Sequence, residues 1–259
     1  MSLPVFLAPP PLPALGEQAE LSGPEARHAV TVKRVRAGEH IELIDAAGTR
    51  ARVRVTATEG KDRLFGVVEH RTVEEPPTPT VTVIQALPKA ERSELAVDLA
   101  CQGGADEIIP WQAHRCVAKW SGPKQDKGRA KWQAAAVAAA KQARRARVPH
   151  IGEVLDTAGV ARLLRDAGVG ADAAGSPTTV ALLLHEDPQV ATRRFAQVDL
   201  SAARQIFLLV GPEGGIGAQE AAELVAAGAQ CVRLGPEVLR TATAAMVALA
   251  AIGVTTGRW

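Results

Sequence analysis

The sequence predicts a two-part chain, a small basic β-barrel-like domain followed by a larger α/β domain built on a mostly parallel sheet. Three observations carry this. Residues 74–79 read Glu-Glu-Pro-Pro-Thr-Pro, and three prolines in four positions can continue neither a helix nor a central strand. Ahead of that cluster, apolar side chains recur with period two. Behind it, compact apolar runs alternate with longer helical patterns, the order expected of parallel strands joined by helices. The expected division is therefore 1–74 and 75–259.

In the first part, residues 41–44 form a compact apolar strand and Ala47-Gly48 marks a turn. Arg50, Arg52 and Arg54 then alternate with Ala51, Val53 and Val55, which puts three guanidinium groups on one strand face. Residues 64–68 give a further strand. Ser22-Gly23-Pro24-Glu25 fits a capping box with proline in the first turn. The helix it opens is expected to carry Arg27, His28, Lys33, Arg34 and Arg36. A small β-barrel-like domain with a basic side is the reading.

In the second part, the expected strands are 81–87, 107–109, 179–184, 205–210 and 231–234. The expected helices are 92–102, 129–144, 160–167, 218–227 and 241–252. Residues 168–177, rich in glycine and alanine, read as a surface loop.

Composition narrows the function. At 47% hydrophobic and 22% charged residues, the 259-residue chain has the balance of a soluble globular protein. It offers no uninterrupted apolar run long enough for a membrane span and no signal-peptide pattern at its proline-rich start, so a cytoplasmic protein without a membrane partner is expected. The three cysteines, Cys101, Cys116 and Cys231, are odd in number and widely spaced. Neither a disulfide framework nor a metal site is expected of them, and each reads as a small core hydrophobe. Charge is unevenly distributed. Residues 111–150 hold ten Lys or Arg against Asp126 alone, an excess of nine, so the remainder carries −7 of the chain's net +2. Such a segment suits a polyanion. With no tyrosine and 3% aromatic residues, recognition would rest on phosphates and shape more than on base stacking.

Three strand ends look alike. The strand at 179–184 runs into His185-Glu186-Asp187-Pro188, that at 205–210 into Gly211-Pro212-Glu213-Gly214-Gly215, and that at 231–234 into Gly235-Pro236-Glu237. Ligands of open α/β sheets sit beyond such carboxyl ends, and glycine there lets the backbone come close. The 211–215 turn is neither a dinucleotide fingerprint nor a P-loop, which disfavours a nucleotide-dependent α/β enzyme. Glu213 suits a cationic ligand such as a sulfonium; a purely structural strand-to-helix turn is the other reading. After Gly235-Pro236, Thr241 or Thr243 could cap a helix of small residues.

Residues 208–215 and 234–245 together resemble the 16S ribosomal RNA (uracil-N3)-methyltransferases of the SPOUT superfamily, the RsmE family. Further stretches fall in the family's order: Gly23-Pro24-Glu25-Ala26-Arg27-His28, Ala86-Leu87-Pro88-Lys89, Asp106-Glu107-Ile108-Ile109-Pro110, Arg115-Cys116-Val117, Lys119-Trp120 and Arg147-Val148-Pro149. The resemblance spans nearly the whole chain. It implies a PUA-like RNA-binding domain followed by an α/β domain whose C-terminal segment threads a trefoil knot, working as a homodimer on 16S rRNA or the small ribosomal subunit, at position 1498. It implies S-adenosyl-L-methionine held by Leu184, His185, Glu186, Gly211, Pro212, Glu213, Gly214, Gly215, Leu234, Gly235, Leu239 and Thr243. Arg240 and Arg145 are the catalytic candidates, as cations that could stabilise negative charge on the uracil oxygens. Arg27, His28, Arg34, Arg36, Lys89, Arg115, Lys119, Lys141, Gln142, Arg144 and Arg147 are the expected RNA contacts.

Two departures stand out. The pair Val5-Phe6 lacks the arginine that family members commonly carry there. Lys141-Gln142-Ala143-Arg144-Arg145 replaces the usual Glu-Gln-x-Gly-Arg, which rules out acid–base work at position 141 and is expected to strengthen phosphate attraction. A related SPOUT enzyme acting on ribose 2′-OH or another base, and a non-catalytic RNA-binding assembly factor, are the alternative readings.

Overall fold

A computed structural model describes residues 3–170, 178–191 and 193–259. It divides into two compact units: Met1–Pro76 with Ala140–Val148, and Pro77–Ala139 with Pro149–Trp259.

The first unit is built on five strands, β1 (Val5–Leu7), β2 (Gln18–Ser22), β3 (His40–Ile44), β4 (Thr49–Glu59) and β5 (Arg63–Val73), ordered β1-β3-β4-β5-β2. Ala51, Val53 and Val55 are fully buried while Arg52 and Arg54 face solvent, as period two requires. The long β4–β5 hairpin shifts register between Arg52 and Val53 and again between Val55 and Ala57. Such irregularities bend a strand and raise its twist, which curls the sheet around Phe6, Leu21, Ile41, Leu43 and Leu64. Gly66 is needed where the hairpin closes on itself, since a Cβ there would lie 2.7 Å from the Arg54 carbonyl oxygen.

Two details differ from expectation. Ser22 does stand at the start of helix α1 (Gly23–Arg27), but its side chain makes no capping bond. The Glu25 carboxylate turns instead to the Leu7 backbone N–H at 3.0 Å and to Lys141 Nζ at 2.7 Å, so no capping box forms. The helix continues as one π-type stretch, His28–Val32, and stops at Lys33. Arg34 then adopts a left-handed φ of 57°, so Arg34 and Arg36 lie beyond the helix.

The chain returns to this unit at Ala140–Val148. Ala146 joins Val5, Ile44 and Leu7 in a small apolar cluster. The Val148 N–H bonds the Ala46 carbonyl, and Arg50 Nη2 donates to the Arg144 carbonyl at 2.6 Å.

The second unit holds seven parallel strands: β6 (Thr80–Ala86), β7 (Glu107–Trp111), β8 (His150–Ile151), β9 (Thr179–Leu184), β10 (Arg193–Arg194), β11 (Gln205–Val210) and β12 (Gln230–Arg233). Their order is β10-β12-β9-β11-β6-β7-β8. The helices are α2 (Ala90–Gln102), α3 (Pro123–Gln142), α4 (Thr157–Asp166), α5 (Ala218–Ala226) and α6 (Thr241–Thr256). The last residues of α3 group with the first unit. β9 and β11 are buried almost throughout, as parallel strands covered on both faces should be. From β11 the chain crosses over β9 through α5 to reach β12, and α6 then returns to pack on α2, β11 and β6.

The α3 helix begins six residues before its expected start, where Ser121-Gly122-Pro123 supplies an entry with proline in the first turn, and ends before Arg144, whose φ of 55° is left-handed. Of the expected 168–177 loop, residues 171–177 lie outside the described residues, and Gly168 and Gly170 have positive φ. Among the described helices none is long and apolar enough to cross a membrane.

Candidate active site

Parallel pairing sets the strand ends of the second unit in one row: Val232 beside Leu184, Leu184 beside Val210, and Val210 beside Gln85. The turns that follow open from one edge of the sheet. Together with the start of α6 they enclose a cavity of about 400 Å³, within the usual range for small-molecule sites.

Most of the expected cofactor residues meet here. Leu184, His185, Glu186, Gly211, Pro212, Glu213, Gly215, Leu234, Gly235 and Leu239 line the cavity, and so does the catalytic candidate Arg240. Gly214 and Thr243 do not. Gly214 is packed against Arg115, whose Nη1 donates to the Gly214 carbonyl at 3.3 Å. The expected Thr241 or Thr243 cap is not made: Arg240 holds the N-cap position of α6 without a side-chain capping bond, and Thr243 Oγ1 donates back to the Arg240 carbonyl at 3.1 Å.

The turns are held by local chemistry. His185 accepts the Asp187 N–H at Nδ1, 3.1 Å away, which commits one ring nitrogen to its own turn. Glu213 accepts the Lys89 N–H at 3.2 Å, so this carboxylate also anchors the entry to α2. Gly215 has φ +69°, and a Cβ there would lie 3.3 Å from Glu186 Oε1. A larger residue would meet both backbone strain and that carboxylate.

Sequence reasoning missed Arg92, Arg233 and Glu237 as lining residues. Arg233 ends β12 and Glu237 follows Gly235 in the turn beyond it, so proximity to the expected strand end could have found them. Arg92 is brought in from α2 by tertiary packing alone. The lining thus pairs three carboxylates, Glu186, Glu213 and Glu237, with three guanidinium groups, Arg92, Arg233 and Arg240. Glu213 alone suggested a cationic ligand; the whole wall suits one bearing both signs of charge. The Arg240 guanidinium has no hydrogen bond or ion pair among the described residues.

The expected RNA contacts fall into distinct groups. Arg27, Arg34 and Arg36 are exposed in the first unit, and His28 is half-buried with its ring edge-on to Phe6 at 5.7 Å. Lys89, Arg115 and Lys119 are exposed in the second unit. Gln142, Arg144 and Arg147 fall in the segment that groups with the first unit, and so does the catalytic candidate Arg145, which does not line the cavity. There Lys141 is only 14% exposed and paired with Glu25, so the phosphate attraction expected of this position is largely neutralised by its partner. Arg147 donates to the Glu74 carbonyl and packs under Gly48. Cys101 and Cys116 are buried and Cys231 half-buried, and burial pushes the Cys116 and Cys231 thiols up from their usual pKa. No cluster of three or more His, Cys, Asp or Glu able to hold a metal occurs among the described residues.

Comparison with known proteins gives these features a family. A profile described as an RNA methyltransferase domain matches residues 74–253, and one described as an RNA methyltransferase PUA domain matches residues 21–69. The chain is 48% identical over 248 residues to the ribosomal RNA small subunit methyltransferase E of Mycobacterium bovis, spanning 96% of this chain and 90% of that one. A crystal structure of the ribosomal RNA small subunit methyltransferase E of Neisseria gonorrhoeae bound to S-adenosyl methionine superposes with a TM-score of 0.82 at 25% identity, covering 98% of both chains. A Legionella pneumophila methyltransferase shares the fold, with a TM-score of 0.83 at 23% identity over 99% of both. The chain belongs to the RsmE family of SPOUT RNA methyltransferases, with a PUA-like sheet preceding the α/β domain.

Proposed function

We propose that this chain methylates N3 of a uridine in 16S rRNA with S-adenosyl-L-methionine as donor. The observation that carries the reading is the cavity at the ends of β9, β11 and β12, lined by most of the residues that the family resemblance named. Its walls fit the donor. Leu184, Val210, Leu234 and Leu239 offer apolar surface for a nucleoside, and the mixed acidic and basic groups suit an amino-acid zwitterion beside a sulfonium. Gly211 and Gly215 keep the backbone close to whatever the cavity holds. The donor supplies an electrophilic methyl group.

The protein's own part is orientation, charge stabilisation and handling of one proton. Uracil N3 carries a proton and is a weak nucleophile until it is lost. On this reading Glu186 or Glu213 accepts that proton. Arg240, on the cavity wall, stabilises the negative charge spread onto O2 and O4. In-line placement of the reacting atoms supplies much of the remaining rate.

Residues 1–74 are read as the RNA-binding domain and 75–259 as the catalytic domain, its C-terminal return through α6 threading the knot. Exposed Arg27, Arg34, Arg36, Lys119 and Arg144 are the phosphate contacts. Exposed Leu95 on α2 and Val247 and Val254 on α6 support a homodimer, since they leave apolar surface for a second copy. Position 1498 as the target and the cytoplasm as the location complete the reading. The test is mass spectrometry of small-subunit RNA from cells with and without the protein. The expected result is one 3-methyluridine that disappears with the protein. An unchanged RNA, or a lost 2′-O-methyl group, would overturn the assignment.

A further inference from the structure

We propose that Glu220 is a positioning residue for the glycine turn of the cofactor cavity, acting through His114 and Arg115; the inference rests on reading that cavity as the methyl-donor site. Glu220 sits in the first turn of α5, immediately after the 211–217 turn, and is 1% exposed. Its Oε1 accepts the Thr157 hydroxyl at 2.5 Å and the His114 backbone N–H at 2.9 Å. Trp111 Nε1 donates to the same Thr157 oxygen at 3.1 Å. One carboxylate oxygen therefore ties the chain leaving β7 to the start of α4 and of α5.

Arg115, the next residue, lies against the glycine turn. Its Nη1 donates to the Gly214 carbonyl at 3.3 Å, and a Cβ on Gly214 would stand 3.1 Å from the Arg115 Cβ and carbonyl oxygen. The neighbours of Gly214 in that turn, Glu213 and Gly215, line the cavity. Glu220 thus fixes the main chain at His114, and Arg115 carries that position to Gly214.

Stability alone does not explain a carboxylate here. Glu220 Oε2 is buried with no hydrogen-bond partner among the described residues. A buried acid satisfied on one oxygen is a costly choice compared with an apolar side chain of similar shape. What it supplies that leucine could not is an acceptor for His114 and Thr157.

The test compares Glu220→Gln, Glu220→Leu and Arg115→Met in the full chain, by calorimetric titration with S-adenosylmethionine, steady-state kinetics and thermal melting. Glu220→Gln keeps an acceptor oxygen and is expected to bind the donor within about threefold of wild type. Glu220→Leu, which removes a buried acceptor, is expected to weaken binding by roughly tenfold, and Arg115→Met, which removes an exposed 3.3 Å contact, by about fivefold, both raising KM for the donor more than they lower kcat. Because both act through one path, the double variant should be little worse than the weaker single. Unchanged donor affinity in Glu220→Leu, or additive losses in the double variant, would overturn the inference while leaving the cavity reading intact. If Glu220→Leu does not fold, unchanged affinity in Arg115→Met overturns it. A wild-type chain that takes up no donor would defeat the cavity reading itself.

Discussion

Replacing Arg240 by alanine separates catalysis from folding unusually well. The residue stands at the entry to α6, where its backbone carbonyl accepts the Thr243 N–H at 2.9 Å and the Ala244 N–H at 3.0 Å. Those bonds belong to the main chain and survive the substitution. The guanidinium is exposed and unpartnered among the described residues, so its loss should change stability by no more than about 0.5 kcal/mol. If it stabilises charge that develops on the uracil, removing it should cost about 3–4 kcal/mol of transition-state stabilisation, a 10²–10³-fold loss of kcat. The assay is transfer of a radiolabelled methyl group to small-subunit RNA, with a thermal melt of the same preparation. Near-normal turnover would refute the catalytic role. A large drop in Tm beside the lost activity would show that the side chain braces the turn instead.

Other perturbations probe different parts of the molecule. Gly215→Val forces a β-branched residue to φ +69° with its Cβ 3.3 Å from Glu186 Oε1; backbone strain of about 1–2 kcal/mol should appear as a raised KM for the donor in steady-state kinetics. The Arg34→Ala/Arg36→Ala double variant should reduce the slope of log K against log salt for RNA binding by about two, and an unchanged slope would place those residues away from the RNA. Lys141→Ala leaves the partly buried Glu25 carboxylate without its 2.7 Å partner and should destabilise the first unit by about 1 kcal/mol in a urea titration, with little effect on RNA affinity. Burial pushes the Asp45 carboxyl up, but hydrogen bonds from the Thr49 side chain and the Thr49 and Ala47 N–H groups outweigh it and hold the pKa below its usual value. Such a group adds stability above its unfolded pKa, and this is lost as pH falls through the folded value. Asp45→Asn should therefore flatten the decline of Tm below about pH 4.

The sequence was most legible where burial is strongest. The strands at 179–184 and 205–210 were bounded correctly because both faces of a central parallel strand are covered, leaving unbroken apolar runs between glycine and polar turns. The alternation at residues 50–55 was equally plain, since one face of β4 is core and the other water. Short elements were not seen: β8 and β10 have two residues each and carry no period. Glu25 read as half of a capping box because local spacing cannot show that Lys141, 116 residues away, competes for the same carboxylate. The return of Ala140–Val148 to the first unit and the entry of Arg92 into the cavity are likewise products of long-range packing. The site was legible in its three turns, two of them bearing glycine, which sit next to strongly marked strands, and not in the contribution of Arg92 from α2.

The central claim is that the turns after β9, β11 and β12 hold the methyl donor. A crystal structure of the chain grown with saturating S-adenosylmethionine tests it most directly. The account predicts the donor between Leu184, Gly211 and Leu234, with its sulfonium methyl open to the side of Arg240. Well-ordered turns around an empty cavity, or a donor bound at another place on the molecule, would contradict it.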